Sequence, residues 1–432
     1  MGRPQRHEVG GSGSAWLALA LVTGCGARTG LAIPPAADAG PEICDATGAE
    51  VCNGRDDDCD GTTDEGLGFG VIAGPFEVAR EPTGYFTSDL VASGGGLVAV
   101  WNVGFDGSHP PVTNAFSRRL DPDGHAIGGP TPILGRPVTM GLTASEGRSG
   151  ILLTYCGRFG ADDRASSAFL DAVGAPLGGE VRRGDGMRSC GAVPQSGIDT
   201  GTRLLFAWLT NGGSSDGTYP VFLDVADDAG RALDGRVAEP RGDLYTQPTF
   251  ARRGDRVALA YGVRPTLRES AIDVVVLGRE GAALGGPTRV GSAPVEERSF
   301  GGAHVVPSAE GFLVVAADTN GSGLYRARTD PSGALIAPLE RVETSDRRFD
   351  QLDVVAAGGA TVAVANAYRG PDSTLYVARL DADGRPDATW EGGADVPYAL
   401  VPALAVEGTR VFLLSGAVDG RTLEIREFGC AP

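Results

Sequence analysis

The chain of 432 residues contains no lysine, because all 37 of its basic residues are arginines. Any mechanism that needs an amine nucleophile or a Schiff base on lysine is therefore excluded. Histidine is also scarce: only His109, His125 and His304 follow the first 24 residues, and none stands in a recognisable triad context. The sequence lacks an HExxH zinc motif and a P-loop as well. These absences leave no signature of a zinc peptidase or a nucleotide-dependent enzyme.

The composition favours a globular, all-β protein. Hydrophobic residues make up 42% of the chain and charged residues only 21%, which suits a large buried core. The 67 glycines and 28 prolines punctuate short runs rich in Val, Leu and aromatic residues, a pattern typical of many strands joined by turns. Because the formal net charge is -18, we expect no nucleic-acid partner.

The N-terminus predicts export and lipidation. Arg3 and Arg6 precede an eight-residue apolar run, Ala15 to Val22, which is too short to span a bilayer as a mature helix. The run leads into Leu21, Val22, Thr23, Gly24 and Cys25. This stretch resembles the lipobox of bacterial lipoprotein signal peptides, which implies cleavage before Cys25 and acyl chains on that cysteine. We therefore expect a cell-envelope protein held to a membrane by lipid. Gly26 after the cysteine favours the outer membrane by resemblance to enterobacterial sorting.

Four segments follow from this interpretation: a signal peptide over 1–24, a lipidated tether over 25–43, an acidic cysteine-rich loop over 44–66 and a repeat domain over 67–432. The tether contains Pro34, Pro35 and Pro41 among alanines and glycines, with little to pack. It would hold the folded part away from the membrane.

The loop carries the densest chemistry in the chain. Asp56, Asp58, Asp60 and Gly61 form DxDxDG, in which alternate carboxylates can surround a hard cation such as calcium. The Thr62 carbonyl and then Asp64 or Glu65 would complete the oxygen shell. Leu67 stands where an EF-hand has its bidentate glutamate, which predicts low affinity. An acidic turn closed by a disulfide without a metal is the alternative.

This stretch resembles the metal-binding motif EVCNGxDDDCDGxxDE of MopE-type surface proteins, and it is similar to calcium loops of thrombospondin type 3 repeats and dockerins. The copper chemistry of MopE is not expected, because no histidine lies near the loop. Six cysteines remain after lipidation, and spacing favours only the pair Cys52 and Cys59. Cys156 with Cys190 and Cys44 with Cys430 are further candidate pairs in an oxidising compartment.

The chain after residue 70 is periodic. One landmark is a turn that ends in Gly124, Gly174, Gly230, Gly281, Gly333 and Gly384. A second is an apolar strand that occurs seven times: Leu97 to Trp101, Ile151 to Tyr155, Leu204 to Trp208, Val257 to Tyr261, Phe312 to Ala316, Val362 to Asn366 and Val411 to Ser415. Several short strands per repeat of roughly 50 residues are similar to the blades of β-propellers. We predict a seven-bladed propeller-like domain, with the strand of Gly74 to Val78 completing the last blade; a β-solenoid or a pair of sandwiches is the alternative.

The same periodicity helps to interpret residues that resemble metal or ligand sites. Asp121, Asp123, Asp381 and Asp383 recur before the turn glycine, so we interpret them as hairpin residues rather than calcium ligands. Trp101, Tyr155, Trp208 and Tyr261 recur at one strand position and are expected to pack the blades. The sequence thus predicts a binding or envelope-organising module, with an unknown envelope protein or polysaccharide as partner. The alternative is a glycosidase-like propeller hydrolase that uses channel carboxylates.

Overall fold

The computed structural model describes residues 68–81, 85–103, 114–135, 138–159, 162–183, 195–210, 218–243, 246–266, 268–295, 300–318, 323–343, 347–357, 359–369, 372–392, 402–417 and 419–431. All of these residues belong to one compact unit. Within these ranges the regular structure consists of strands and contains no helix. Accordingly, no described segment is a helix long and apolar enough to cross a membrane.

Antiparallel meanders of four strands form five separate sheets. The first contains β2 (Tyr85–Ala92), β3 (Leu97–Val103), β4 (Asn114–Leu120) and β5 (Ala126–Pro132). The second contains β6 (Val138–Gly147), β7 (Gly150–Phe159), β8 (Asp162–Leu170) and β9 (Val181–Arg182). The third contains β18 (Phe300–Pro307), β19 (Phe312–Asp318), β20 (Leu324–Thr329) and β21 (Leu335–Arg341). The fourth contains β22 (Arg348–Ala357), β23 (Ala360–Arg369), β24 (Asp372–Leu380) and β25 (Pro386–Gly392). The fifth, which we call the closing sheet, contains β26 (Ala403–Glu407), β27 (Arg410–Gly416), β28 (Thr422–Ala431) and β1 (Gly68–Arg80).

A sixth sheet has eight strands. It contains β10 (Ser196–Asp199), β11 (Leu204–Leu209), β12 (Tyr219–Ala226), β13 (Ala232–Gly242), β14 (Thr249–Arg253), β15 (Arg256–Thr266), β16 (Glu269–Gly278) and β17 (Thr288–Pro294). The meander of β10 to β13 joins that of β14 to β17 through one residue pair, Gly242 with Val263. By comparison, β15 forms five residue pairs with β14, the first strand of its own meander.

The first strands of successive meanders contact one another in a closed cycle. β2 contacts β6, β6 contacts β10, and the contacts continue through β14, β18, β22 and β26 back to β2. In the closing sheet, β1 pairs with β28, so the segment of Gly74 to Val78 completes the last sheet as predicted. This propeller-like arrangement disagrees with the solenoid and sandwich alternatives.

The hairpin turns define one face of the domain. In a four-stranded meander, the turns after the first and third strands lie at the same end, as residues 93–96 and 121–125 do in the first sheet. Contacts between turns of successive meanders, such as Arg148 with Asp228 and Arg253 with Ala309, bring these ends together into what we call the turn face. As the third strand of the closing sheet, β28 ends at the turn face, with Ala431. Because Gly68 pairs with Ala431, β1 begins at the turn face. The segment that precedes residue 68 therefore enters the described domain there.

The repeating turn glycine meets two structural requirements, a positive φ and close packing against the preceding meander. Gly281 adopts a φ of +83°, and a Cβ atom on it would lie 2.6 Å from Cγ2 of Val225 in the preceding meander. The turn must therefore be left-handed at this position and also fit against its neighbour. The same combination of positive φ and close packing occurs at Gly174, Gly230 and Gly384. The repeat period is thus fixed by contacts between meanders as well as by turn geometry.

The core lies between adjacent sheets. Trp101, Tyr155, Trp208 and Tyr261 are at most 4% exposed and belong to different hydrophobic clusters. The prediction that these rings pack the repeats is confirmed. A stack of aromatic rings for a ligand is excluded, because no two of the four share a cluster.

Candidate functional site

A cavity of about 50 Å³ lies among the first strands of the meanders. Its walls come from β2, β6, β18, β22 and β26 and from the residues just before β14. The polar residues among its lining are Thr87, Ser88, Asp89, Thr143, Gln247, His304 and Asp353. No catalytic sequence motif marks the two aspartates, and none gives His304 a role.

Asp89 is held by main-chain groups of two strands. Its Oδ1 accepts a hydrogen bond from the amide of Leu90 at 2.7 Å, and its Oδ2 accepts one from the amide of Ala144 on β6 at 2.6 Å. Burial, together with repulsion from Asp353, raises the pKa of Asp89 to about 8, although the two amide hydrogen bonds act in the opposite direction. At neutral pH Asp89 is therefore mainly a neutral carboxylic acid.

Asp353 occupies the corresponding place on β22. Its Oδ1 accepts a hydrogen bond from the amide of Val354, and its Oδ2 accepts one from the amide of Leu404 on β26 at 2.7 Å. Nδ1 of His304 on β18 lies 3.4 Å from Oδ1 of the same carboxylate. Asp353 therefore connects three successive first strands.

These links replace main-chain pairing between the first strands. Thr249 makes an equivalent connection without a charge, because its hydroxyl accepts from the amide of Val305 at 3.2 Å and donates to the carbonyl of Ala303 at 3.0 Å. Thr143 likewise donates to the carbonyl of Gln195 on the next meander. The comparison indicates that Asp89 and Asp353 have a structural task that a threonine performs elsewhere in the cycle.

A second acidic pair lies further along two of these strands, towards the turn face. Glu146 on β6 is accessible to solvent, yet desolvation inside the cycle and the charge of Glu407 on β26 raise its pKa. The centre of the cycle is thus acidic both at the cavity and near the turn face. In chemical terms, a carboxyl that stays protonated near neutral pH, such as Asp89, can act as a general acid.

The predicted lipidation and metal sites lie outside the described residues. This applies to Cys25, to Cys52 and Cys59, and to the proposed calcium ligands Asp56, Asp58, Asp60, Thr62, Asp64 and Glu65. Among the described residues, no group of three or more His, Cys, Asp or Glu side chains is placed to hold a metal ion. Cys156 and Cys430 each take part in a disulfide bond.

The acidic turns are hairpins, as predicted. Oδ1 of Asp121 accepts hydrogen bonds from the amides of Asp123 and His125, and Gly124 has a φ of +86°. Asp381 accepts in the same way from the amide of Arg385. These carboxylates satisfy main-chain donors in Asx-type turns, which is the task that the sequence assigned to them.

Comparison with known proteins supports the fold alone. No protein-family model and no curated protein matches the chain. Among solved structures, the chain is similar to a puromycin hydrolase at 16% identity and a TM-score of 0.51, covering 82% of this chain and 56% of that one. It is also similar to an α-L-arabinanase of Penicillium chrysogenum, at 13% identity and a TM-score of 0.46, covering 83% and 98% of the two chains. A puromycin-hydrolyzing peptidase of Mycobacterium tuberculosis has 15% identity and a TM-score of 0.46, with coverage of 83% and 54%. The chain thus spans only about half the length of the two puromycin-hydrolysing proteins.

Proposed function

We propose that this protein is a lipid-anchored cell-envelope protein whose propeller-like domain binds a partner or organises the envelope. Its partner would be an envelope protein or a polysaccharide, and its anchor would be Cys25 in the outer membrane. Support for the anchor comes from the charged N-terminus, the apolar run and the lipobox-like residues before Cys25. The tether would reach the domain at the turn face, where β1 begins.

One observation favours binding over hydrolysis. The carboxylates at the centre of the cycle are engaged by main-chain amides of neighbouring strands, and the cavity between them measures about 50 Å³. Such a space accommodates a few water molecules and is far below the roughly 300 Å³ of a small-ligand pocket. The space beside Asp89 and Asp353 is therefore smaller than the pockets that typically bind small ligands.

We infer further that the ring has seven blades. The eight-stranded sheet divides into two meanders that share one residue pair, and the first strands of all the meanders follow one another in a closed cycle. In this interpretation β10 to β13 and β14 to β17 are separate blades. An experimental structure with a different number of blades would contradict it.

The acidic loop is proposed to bind calcium. Asp56, Asp58 and Asp60 supply hard oxygen ligands, and an oxidised Cys52 and Cys59 would offer no thiolate to zinc or copper. The cation would order a segment between the tether and the domain. Calcium would thereby set how rigidly the propeller is held relative to the membrane.

Genetic complementation distinguishes a binding function of this protein from a hydrolase function. A strain that lacks the gene would be complemented with the natural protein, with Cys25→Ala, or with Asp353→Asn, and envelope integrity would be measured by release of a periplasmic enzyme. We expect Asp353→Asn, tested at a temperature where it is folded, to complement, because binding does not use its charge. Cys25→Ala is expected to fail. Loss of complementation by folded Asp353→Asn alone would instead support the hydrolase.

A specific observation also supports the alternative, a glycosidase-like hydrolase. Asp89 has a pKa of about 8 and Asp353 repels it electrostatically, which is the relationship expected of a general acid and its partner. A hydrolase would lose activity on its glycoside by a hundredfold or more, on the order of a lost general acid, in Asp89→Asn. Screening glycosides with the purified natural protein and this variant tests it directly.

A further inference from the structure

An arginine cluster on the turn face has fewer carboxylate partners than its neighbours. Arg252 and Arg253 end β14, next to the turn that leads into β15, and the turn after β16 carries Arg279. Nε of Arg252 and Nη2 of Arg279 both donate to the main-chain oxygen of Gly254, each at 3.3 Å. Two guanidinium groups therefore converge on a single neutral acceptor.

The carboxylates around this cluster are engaged with other arginines. Asp199 and Asp228 bind Arg148, at 2.9 and 2.6 Å. Glu280 binds Arg203 at 3.0 Å.

The last of these carboxylates, Asp255, faces Arg256 at 3.5 Å. Within the described part of the chain, Arg252, Arg253 and Arg279 form no salt bridge, and Nη2 of Arg253 donates to the carbonyl of Ala309. These three positive charges thus have no salt-bridge partner among the described residues, on a protein of net charge -18.

The guanidinium of the exposed Arg252 lies close to the main chain of the preceding meander. It lies against Gly201, where a Cβ atom would come within 3.3 Å of Nη2. Its Nη1 also faces the main-chain oxygen of Asp199 at 3.4 Å. Desolvation and the charges of Arg279 and Arg148 lower the pKa of Arg252, while Asp199 raises it. An added anion would relieve this repulsion between arginines.

We propose that Arg252 and Arg279 form a binding site for a phosphate-type oxyanion. A tetrahedral oxyanion can accept hydrogen bonds from two guanidinium groups at once, and arginine recognises phosphate in this bidentate manner. The donors that now share the oxygen of Gly254 would gain charged acceptors. The site is exposed, so such an anion can approach from solvent.

Two sources can supply this chemistry: a free phosphate and the headgroup of a phospholipid. The position of the cluster favours the headgroup, because the segment before residue 68 enters at the turn face and, on the proposed function, leads to the lipid anchor. Leu284, which follows Arg279 in the same turn, is 46% exposed, and Leu233 of the preceding meander is 55% exposed. Exposed aliphatic side chains on the same face as arginines are suited to the interface of a bilayer.

The test uses the mature chain with Cys25→Ala, so that any membrane binding is independent of lipidation. Binding of inorganic phosphate would be measured by calorimetry at constant ionic strength, and binding to vesicles by flotation, with phosphatidylcholine alone or mixed with phosphatidylglycerol. We expect Arg252→Gln with Arg279→Gln to weaken phosphate binding or phosphatidylglycerol-dependent flotation at least fivefold. The matched control is Arg231→Gln with Arg385→Gln, which removes two exposed charges from the same face that are already paired with Asp227 and Glu340.

Each outcome decides the question. Arginine-dependent flotation without phosphate binding would identify the headgroup as the ligand, and arginine-dependent phosphate binding without flotation would identify a free phosphate. If the control pair weakens binding as much as the cluster pair, or if neither probe binds, the proposal is overturned. Fatty-acid labelling of the natural chain is a separate measurement, so a missing anchor would not be confused with a missing anion site.

Discussion

Arg410 on β27 donates to the main-chain oxygen of Pro122 at 2.7 Å and to Oδ1 of Asp123 at 2.9 Å, although 287 residues separate Arg410 from Asp123. Its other donors bind the carboxylate of Glu427, which is 7% exposed. Arg410 therefore joins the closing sheet to the turn of the first sheet. The contact secures the cycle at the point where the two ends of the described chain meet.

Removing this contact should weaken closure of the cycle. Arg410→Met keeps an unbranched aliphatic side chain but removes the guanidinium that lies over the ring of Phe412, and it leaves Glu427 buried without its partner. We expect the free energy of unfolding to fall by about 2 kcal/mol, measured by urea denaturation. Arg80→Met is the control, because its pair with Glu77 is largely exposed and should contribute less than about 0.5 kcal/mol. Equal effects of the two substitutions would show that Arg410 has no special part in closure.

A turn glycine should be sensitive for two separable reasons. Gly281→Ala combines a φ of +83° with a Cβ atom 2.6 Å from Val225, so we expect a loss of about 3 kcal/mol. Gly95→Ala has a φ of +72° but open space around the new methyl group, so about 1 kcal/mol is expected from the backbone alone. The difference between the two melting curves measures the packing between meanders. If both variants lose the same stability, that packing contributes nothing.

The sequence predicts the repeats well because their signals are local. Asp121 and Gly124 satisfy turn chemistry within five residues, and the apolar run that ends in Trp101 is buried on both faces of its sheet. The centre of the cycle depends on longer distances. Asp89 and Asp353 meet only when strands more than 250 residues apart take their places in the cycle. Their one local signal is a shared pattern, Asp-Leu-Val-Ala at Asp89 and Asp-Val-Val-Ala at Asp353, just before the landmark strand.

The stability of the protein should depend on pH through Asp89. Its pKa is about 8 in the folded chain, against about 3.9 in an unfolded one. Because the fold favours the neutral acid, the contribution is complete below about pH 4 and is lost as the pH rises towards 8. The free energy of unfolding should therefore decline from pH 5 to pH 8 more steeply in the natural protein than in Asp89→Asn. The slope, at most about 1.4 kcal/mol per pH unit, is the readout, since Asp89→Asn also loses an amide hydrogen bond. Identical slopes would place Asp89 outside this linkage.

Lipidation should depend on Cys25. In cells fed a radiolabelled fatty acid, the natural chain is expected to acquire label, and Cys25→Ala is expected to acquire none. Cys52→Ala is the matched control, because it removes a cysteine without touching the lipobox-like residues. Label that persists in Cys25→Ala would remove the basis for the anchor.

Calcium binding should require the alternating aspartates of the acidic loop. Asp56, Asp58 and Asp60 supply oxygen ligands, while Leu67 in place of a bidentate glutamate predicts a dissociation constant on the order of 10⁻⁴ to 10⁻³ M. An oxidised Cys52 and Cys59 pair would close the loop in advance and reduce the entropy cost of ordering its carboxylates, so reduction should weaken binding. Calorimetry on the mature chain would compare the natural protein with Asp58→Ala plus Asp60→Ala, and with Asp121→Ala plus Asp381→Ala as the control for lost acidic turns. We expect calcium heat to disappear only in the first pair. Undiminished heat in that pair, or no heat at millimolar calcium in the natural protein, would eliminate the loop as a calcium site.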